Sequence, residues 1–256
     1  MPDLPSSAPT PAIPAATLVI FRDSPDAPEL LMVERAKAMA FAAGALVFPG
    51  GRVDPGDRAL AAAHPGDPED TAARIAAIRE TIEEAGLALG LTPLPDDSTL
   101  GVLREGLVAG EPFAALLERA GLRLDLAALE PFARWRPDHA LPRIFDTRFY
   151  LAALPSRAPE PVVDNTENVR VFWMSAADVL AEADAGRASL IFPTRRNLER
   201  LAQFRTFDEA LADARAWPIR TVTPWREERG GVPHLVIPDD LGYPVTAQAM
   251  SDARRG

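Results

Sequence analysis

The stretch that decides the fold reads Arg79-Glu80-Thr81-Ile82-Glu83-Glu84-Ala85-Gly86-Leu87, downstream of Phe48-Pro49-Gly50-Gly51. On a helix, Glu80, Glu83 and Glu84 lie within about 100° of one another, and a separate apolar stripe lies roughly opposite them. Like charges three or four residues apart each destabilise a helix by about 0.2–0.5 kcal/mol, so the cluster indicates that a cation normally binds there. Ligands that are all oxygen favour a hard cation, and the sequence therefore predicts a Mg²⁺ or Mn²⁺ site.

The helix that carries this cluster has recognisable ends. Asp67 is a suitable N-cap, Pro68 suits the first helical position, and the charge of Asp70 complements the helix dipole. Gly86 ends the helix, because glycine readily adopts the left-handed conformation found after the last turn. The sequence thus predicts one helix over residues 68–85.

These residues together resemble the signature of Nudix hydrolases, in which a glycine, five residues, a glutamate and seven residues precede Arg-Glu-apolar-x-Glu-Glu-x-Gly-apolar. Gly51 matches the first glycine and is expected on a tight turn after an apolar strand. Asp57 stands at the glutamate position, and Thr81 stands where an aliphatic residue is usual. The signature is also split, because 21 residues rather than seven separate Asp57 from Arg79.

The resemblance implies a role for each conserved feature of the signature. The metal ligands would be the three glutamates of the cluster, Glu80, Glu83 and Glu84, together with the Gly51 carbonyl. Arg79 would orient a glutamate through an ion pair. An exposed salt-bridged helix is the alternative, since Arg79 and Glu83 also form an ordinary i,i+4 pair. That alternative explains neither the paired glycines nor the glycine at the helix end.

Hydrolysis of a pyrophosphate requires that phosphate charge be neutralised and that a water molecule be made more acidic. Metal ions on the glutamate cluster supply both effects. Glu84 is the first candidate for the general base, and Glu83 and Arg79 complete the expected catalytic set. Glu167 or Asp164 is the alternative base, although the sequence around Asp164 is also ordinary turn chemistry.

Residues around the glycines narrow the resemblance to the coenzyme A diphosphatase branch. Arg35, Gly44, Asp54 and Asp57 loosely match the additional motif of that branch. The substrate-binding candidates are Arg35, Arg52, Gly50 and Phe48. The resemblance therefore implies cleavage of coenzyme A or acyl-coenzyme A. Oxidised nucleoside triphosphates, ADP-ribose, dinucleotides and a non-catalytic role as a nucleotide sensor are the alternatives.

Composition excludes several other classes of protein. The chain has 256 residues, 47% of them hydrophobic, and a net charge of −10, which argues against a nucleic-acid-binding surface. It has no cysteine, which excludes disulfides and thiolate metal sites. No basic leader and no run of roughly 20 apolar residues is present. We therefore expect a cytoplasmic protein without membrane contacts. The resemblance implies an enzyme with a small nucleotide substrate, and a homodimer is a possible assembly.

Strands and helices are interspersed along the chain, which predicts an α/β fold. The expected strands are 15–22, 29–35, 45–48, 132–135, 146–154 and 169–174, and the expected helices besides 68–85 are 98–108, 112–120, 175–185, 194–204 and 207–215. A mixed β-sheet between two helical layers follows, and the resemblance implies the same Nudix-type α/β/α sandwich. The expected organisation is a flexible proline-rich tail (1–14), a hydrolase domain with helical insertions (15–205), a loop or short helix inside the signature (58–66) and a C-terminal extension packed on the same domain (206–256).

Overall fold

A mixed β-sheet of eight strands runs through the protein, as seen in a computed structural model that describes residues 11–38, 42–137, 143–164 and 166–253. The strands of the chain are β1 (Ile13–Arg22), β2 (Glu29–Arg35), β3 (Leu46–Val47), β4 (Gly50–Arg52), β5 (Leu91–Thr92), β6 (Arg123–Leu124), β7 (Glu130–Trp135), β8 (Phe145–Ala153), β9 (Asn168–Ser175), β10 (Thr221–Val222), β11 (Trp225–Arg229), β12 (Val232–Val236) and β13 (Ala247–Ala249). The helices are α1 (Pro55–Ala61), α2 (Pro68–Ala85), α3 (Asp97–Val108), α4 (Phe113–Ala120), α5 (Ala176–Asp184), α6 (Phe192–Leu201), α7 (Phe207–Ala216) and α8 (Met250–Ala253), with a 3-10 turn at Leu126–Ala128.

The main sheet has the order β10-β7-β8-β1-β2-β3, with β4 also paired to β1 and β9 to β2. The pairs β1 with β8 and β7 with β10 are parallel, and the other pairs of this sheet are antiparallel. The prediction of a mixed sheet is therefore confirmed. Strands β11, β12 and β13 form a separate antiparallel sheet, and β5 pairs with β6.

The two faces of the sheet carry separate apolar cores. Along β1, Leu18 and Ile20 belong to the core on the α2 side, whereas Val19 and Phe21 belong to the core on the opposite side, as the two-residue period of a strand requires. Residues of α3 and α4 join the first core, and residues of α5, α6 and α7 join the second. These helices on both faces confirm the predicted α/β/α sandwich.

Helix α2 has the limits that its sequence predicts. The Asp67 side chain accepts a hydrogen bond from the Asp70 backbone N–H at 2.7 Å, and Gly86 follows the helix with a left-handed φ of 63°. Thr81, which replaces an aliphatic residue, is fully buried, and its hydroxyl donates to the Ala77 carbonyl at 2.7 Å. The hydroxyl is thus satisfied within the helix, and the substitution leaves no unpaired polar group in the core.

The burial of α2 differs from the sequence prediction of one packed face and one charged face. Ala72, Ala73, Ala76 and Ala77 are buried as well as the isoleucines, and so are parts of the charged stripe. Small alanine side chains let α1, α3 and the sheet approach the helix from several directions. The charged cluster consequently lies partly inside the protein.

Several predicted boundaries need correction. Strand β1 begins at Ile13, so the predicted tail of residues 1–14 overlaps it, and residues 1–10 lie outside the described residues. Gly50 and Gly51, expected on a turn, belong to β4 and pair with β1. Residues 58–61 of the predicted insertion are helical and belong to α1, in agreement with the expected loop or short helix. Within the described ranges, no helix combines the length and apolar character that a bilayer crossing requires.

The C-terminal residues pack on the core opposite α2. Strand β10 extends the main sheet beside β7, and Ile237, Leu241 and Tyr243 are buried in the core opposite α2. Strands β11 and β13 had no prediction, because β11 is exposed throughout and has no apolar alternation, and β13 has only three residues. The domain boundary at residue 205 stays a prediction.

Candidate active site

The two glycines of β4 lie directly against the charged face of α2. A Cβ atom added to Gly51 would lie 2.3 Å from Glu80 Oε1, and one added to Gly50 would lie 2.3 Å from the Ala16 carbonyl oxygen. Any side chain at either position would collide with these atoms. The Gly50 backbone N–H also donates to Glu84 Oε2 at 2.9 Å. Gly51 therefore leaves room for the Glu80 carboxylate, and Gly50 leaves room for the neighbouring backbone of β1.

Arg79 is the centre of an ion-pair network on α2. Its Nε and Nη2 donate to the Asp57 carboxylate at 3.1 and 2.9 Å, and its Nη1 donates to Glu80 Oε1 and Glu83 Oε1, both at 2.9 Å. Burial alone lowers the pKa of Arg79, but the hydrogen bonds to Asp57 and the neighbouring carboxylates raise it above its usual value. Arg79 therefore stays cationic and fixes the positions of Glu80 and Glu83.

Asp57 is the main partner of Arg79. It is 1% exposed and accepts both hydrogen bonds of the Arg79 fork, and its Oδ2 also accepts from the Asp54 backbone N–H at 2.8 Å. It thus ties the start of α1 to α2. The sequence signal for this role was the position of Asp57 in the signature, where a glutamate is usual. Aspartate has a shorter side chain than glutamate, but it still offers a carboxylate that can pair with Arg79.

Glu84 is buried and held by two donors. Gly50 N–H contacts its Oε2, and the Asn168 side-chain amide donates to its Oε1 at 3.0 Å. Arg35 Nη1 lies 3.8 Å from the same Oε1. Burial raises the pKa of Glu84 to about 7, although the hydrogen bonds from Asn168 and Gly50 oppose the rise. Sequence reasoning missed Asn168, which is fully buried and lies 84 residues further along the chain.

The pKa of Glu80 is raised further than that of Glu84. Burial raises the pKa of Glu80 to about 8, and repulsion from Glu84 and Glu83 adds to the rise, while Arg79 opposes it. Among the described residues, the carboxylates of Asp57, Glu80, Glu83 and Glu84 outnumber the two guanidinium groups beside them, those of Arg79 and Arg35. An added cation would relieve this imbalance.

The residues present suit a divalent cation in their chemistry. The donors are carboxylate oxygens and backbone carbonyls, and oxygen ligands of this kind suit Mg²⁺ or Mn²⁺. The neighbouring glycines have no side chain and so leave room for an ion. Among the described residues, however, no group of three His, Cys, Asp or Glu side chains is arranged to hold a metal ion. Glu80 and Glu83 turn toward Arg79, whereas Glu84 turns toward Gly50 and Asn168. The metal-ligand set of Glu80, Glu83, Glu84 and Gly51 therefore stays a prediction.

The structure distinguishes Asp164 from Glu167, the two alternative candidates for the general base. Both Asp164 oxygens accept backbone N–H groups, from Glu167 at 2.8 Å and from Asn168 at 3.1 Å. Burial alone raises the pKa of Asp164, but the hydrogen bonds from Thr166 and these N–H groups lower it below its usual value. Asp164 thus forms a turn, whose Asn165 lies outside the described residues. Glu167, with 58% of its side chain exposed and Arg35 Nη2 at 3.3 Å, is the alternative base that faces the cleft described next.

A cleft of about 510 Å³ opens beside this network on the sheet face opposite α2. All four predicted substrate-binding residues line it: Arg35, Arg52, Gly50 and Phe48. Gly51, Glu80 and Glu167 line it too, whereas Arg79, Glu83 and Glu84 are not among its lining residues. Arg143 is a further lining residue that the sequence did not suggest. We refer to this cavity as the substrate cleft.

Comparisons with known proteins agree with this architecture. A Nudix hydrolase of Alicyclobacillus acidocaldarius, known from a crystal structure, is 32% identical and superimposes with a TM-score of 0.71 over 80% of this chain and 97% of that one. An acyl-coenzyme A diphosphatase of Gallus gallus is 29% identical over 76% of this chain and 68% of its own length. Nudix hydrolase 7 of Caenorhabditis elegans is 29% identical over 70% of this chain and 57% of its own length. No family model matches the chain.

Proposed function

The chain belongs to the Nudix hydrolase family, which acts on pyrophosphate bonds, and we propose that it is a Mg²⁺- or Mn²⁺-dependent diphosphatase of coenzyme A or acyl-coenzyme A. The observation that carries the proposal is the contact of Glu80 and Glu84 with the Gly50–Gly51 backbone at the edge of the substrate cleft. The similarity to the Gallus gallus acyl-coenzyme A diphosphatase supports the substrate. A cytoplasmic location and a homodimer stay predictions.

The proposed chemistry divides the work between the cation and the protein. A divalent cation held by Glu80, Glu83, Glu84 and the Gly51 carbonyl would neutralise phosphate charge and acidify water. Arg79 holds Glu80 and Glu83 in place, and Asn168 with the Gly50 N–H holds Glu84. Glu84, or Glu167 at the wall of the substrate cleft, accepts the proton of the attacking water.

The adenosine 3′-phosphate of coenzyme A needs a basic partner, and the two arginines among the predicted substrate-binding residues differ in their surroundings. Arg35 lies between Glu84 and Glu167 and is therefore engaged within the protein. Arg52 and Arg143 line the substrate cleft, and no ion pair joins either of them to a carboxylate of the described residues. We therefore favour Arg52 and Arg143 as the phosphate contacts, since guanidinium groups engage phosphate oxygens in pairs.

A panel of substrates tests the proposal. Purified protein is incubated with Mg²⁺ or Mn²⁺ and, separately, with coenzyme A, dephospho-coenzyme A, ADP-ribose, a dinucleotide and an oxidised nucleoside triphosphate, with mass detection of products. We expect the highest kcat/KM for coenzyme A or its thioesters. Loss of the 3′-phosphate should lower kcat/KM by about 10- to 150-fold, which corresponds to about 1.5–3 kcal/mol for a charge-assisted hydrogen bond. Equal efficiency on ADP-ribose or a triphosphate would reject coenzyme A specificity, and nucleotide binding without any turnover would favour a sensor.

A further inference from the structure

The floor of the substrate cleft is a row of four residues on four adjacent strands. Arg52 on β4 pairs with Ala15 on β1, Ala15 pairs with Thr147 on β8, and Thr147 pairs with Trp135 on β7. All four line the substrate cleft. With strands about 4.8 Å apart, three steps span roughly 14 Å. The small side chains in the middle of the row leave an open path from the metal helix to Trp135.

The walls around the Trp135 end are mainly apolar. They include Phe149 on β8, Phe192 and Pro193 at the start of α6, and two residues of the predicted C-terminal extension, Pro224 and Leu235. None of these five side chains carries a charge or a hydrogen-bonding group, and Thr194, the next residue of α6, adds one hydroxyl. The C-terminal segment thus supplies part of the same cleft whose other end contains Glu80 and Gly51.

Contacts within the protein hold this end in place. The Trp135 Nε1–H donates to the Tyr243 hydroxyl at 2.9 Å, and the Tyr243 hydroxyl donates to Asn197 Oδ1 at 3.0 Å. The Trp135 ring also meets Phe192 and Tyr243 edge to face, with centroids 6.0 and 5.5 Å apart. The C-terminal segment is therefore anchored directly behind the floor of the substrate cleft.

These contacts decide which part of a substrate suits this end. A purine base needs an exposed ring for stacking and hydrogen-bond partners for its edge. Trp135 is only 1% exposed, its N–H is already used, and Pro193 and Pro224 have no backbone N–H to donate. An aliphatic group needs neither stacking nor hydrogen bonds, and it gains free energy by leaving water.

We infer that the Trp135 end of the substrate cleft binds an aliphatic chain carried by the substrate, such as the acyl group of a coenzyme A thioester, and that Pro224 and Leu235 limit its length. The inference rests on the proposed diphosphatase function. It assigns a role to the C-terminal residues, which form a wall that selects among acylated substrates. Their effect is on substrate choice, since the charged network of α2 lies at the opposite end of the row.

The test is a chain-length profile. Hydrolysis of free coenzyme A and of its thioesters with 2 to 12 acyl carbons is measured for the complete chain with Mg²⁺. For acyl chains short enough to fit the substrate cleft, kcat/KM should rise about fourfold for each added methylene group, the factor equivalent to about 0.8 kcal/mol. Leu235→Trp should move the optimum to shorter chains and Leu235→Ala to longer chains. The opposite directions of the two shifts keep the test valid if one variant folds poorly.

Val232→Trp is the matched control, because Val232 is exposed on the same strand and does not line the substrate cleft. It should keep the wild-type profile. An unchanged profile in both folded Leu235 variants would overturn the inference while leaving the diphosphatase function intact. Failure of the wild type to cleave coenzyme A and every thioester would instead overturn the proposed function, and the inference with it.

Discussion

At the scale of single residues, the first prediction concerns the charged face of α2. Glu83→Gln removes a carboxylate that Arg79 holds in position. Glu83 is not one of the buried core residues of α2, so the fold should persist. We expect kcat to fall by at least about 100-fold, since a cation at this site stabilises transition-state charge by several kcal/mol. Steady-state kinetics at saturating Mg²⁺ measures the change. Glu118→Gln on the exposed side of α4 is the control, and near wild-type kcat for Glu83→Gln would refute the metal assignment.

The second prediction for a single residue concerns Asn168. Asn168→Ala removes one of the two hydrogen-bond donors to buried Glu84. The free energy of unfolding should fall by about 1–3 kcal/mol, because a buried acceptor loses its partner. The kcat should fall by about 10- to 100-fold, as for other groups that orient a ligand. Denaturant unfolding and kinetics on the same variant test both numbers, and unchanged values would show that Asn168 does not position Glu84.

At the scale of helices and strands, the link between α1 and α2 depends on one buried ion pair. Asp57→Ala leaves the buried Arg79 fork without its main partner, and we expect a loss of about 3–5 kcal/mol in unfolding free energy. The matched control is Glu69→Ala, which breaks the exposed Arg58–Glu69 pair between the same two helices. That change should cost under about 1 kcal/mol. Equal losses in the two variants would contradict the role given to Asp57.

The helices and strands also show how far sequence alone predicts this protein. The limits of α2 were predictable, because its N-cap and its C-terminal glycine are local signals. The limits of β2 were predictable from a continuous apolar run. The pairing of Glu84 with Asn168 and the packing of Tyr243 on Trp135 were not predictable, since these residues are 84 and 108 positions apart. The same reason hid Pro224 and Leu235 as residues of the substrate cleft.

At the scale of the whole molecule, a bound cation should stabilise the fold. The acidic groups near α2 exceed the charge of Arg79, so Mg²⁺ or Mn²⁺ should bind the folded state and raise its Tm. At 100 times Kd the gain is about 2.7 kcal/mol, or roughly 5–10 °C for a chain of this size. Thermal unfolding with and without EDTA measures it. Glu83→Gln should reduce the rise in Tm, and Glu118→Gln should keep it. A wild-type Tm that changes with neither ion would contradict cation binding.

The most direct test of the diphosphatase function is to identify the bond that breaks in coenzyme A. The protein is incubated with coenzyme A and Mg²⁺ in ¹⁸O-labelled water, and the products are analysed by mass spectrometry. We predict equal amounts of 3′,5′-ADP and 4′-phosphopantetheine, with one ¹⁸O atom in one of the two products, because water attacks a single phosphorus of the pyrophosphate. Release of the 3′-phosphate to give dephospho-coenzyme A, or recovery of unchanged coenzyme A, would contradict it.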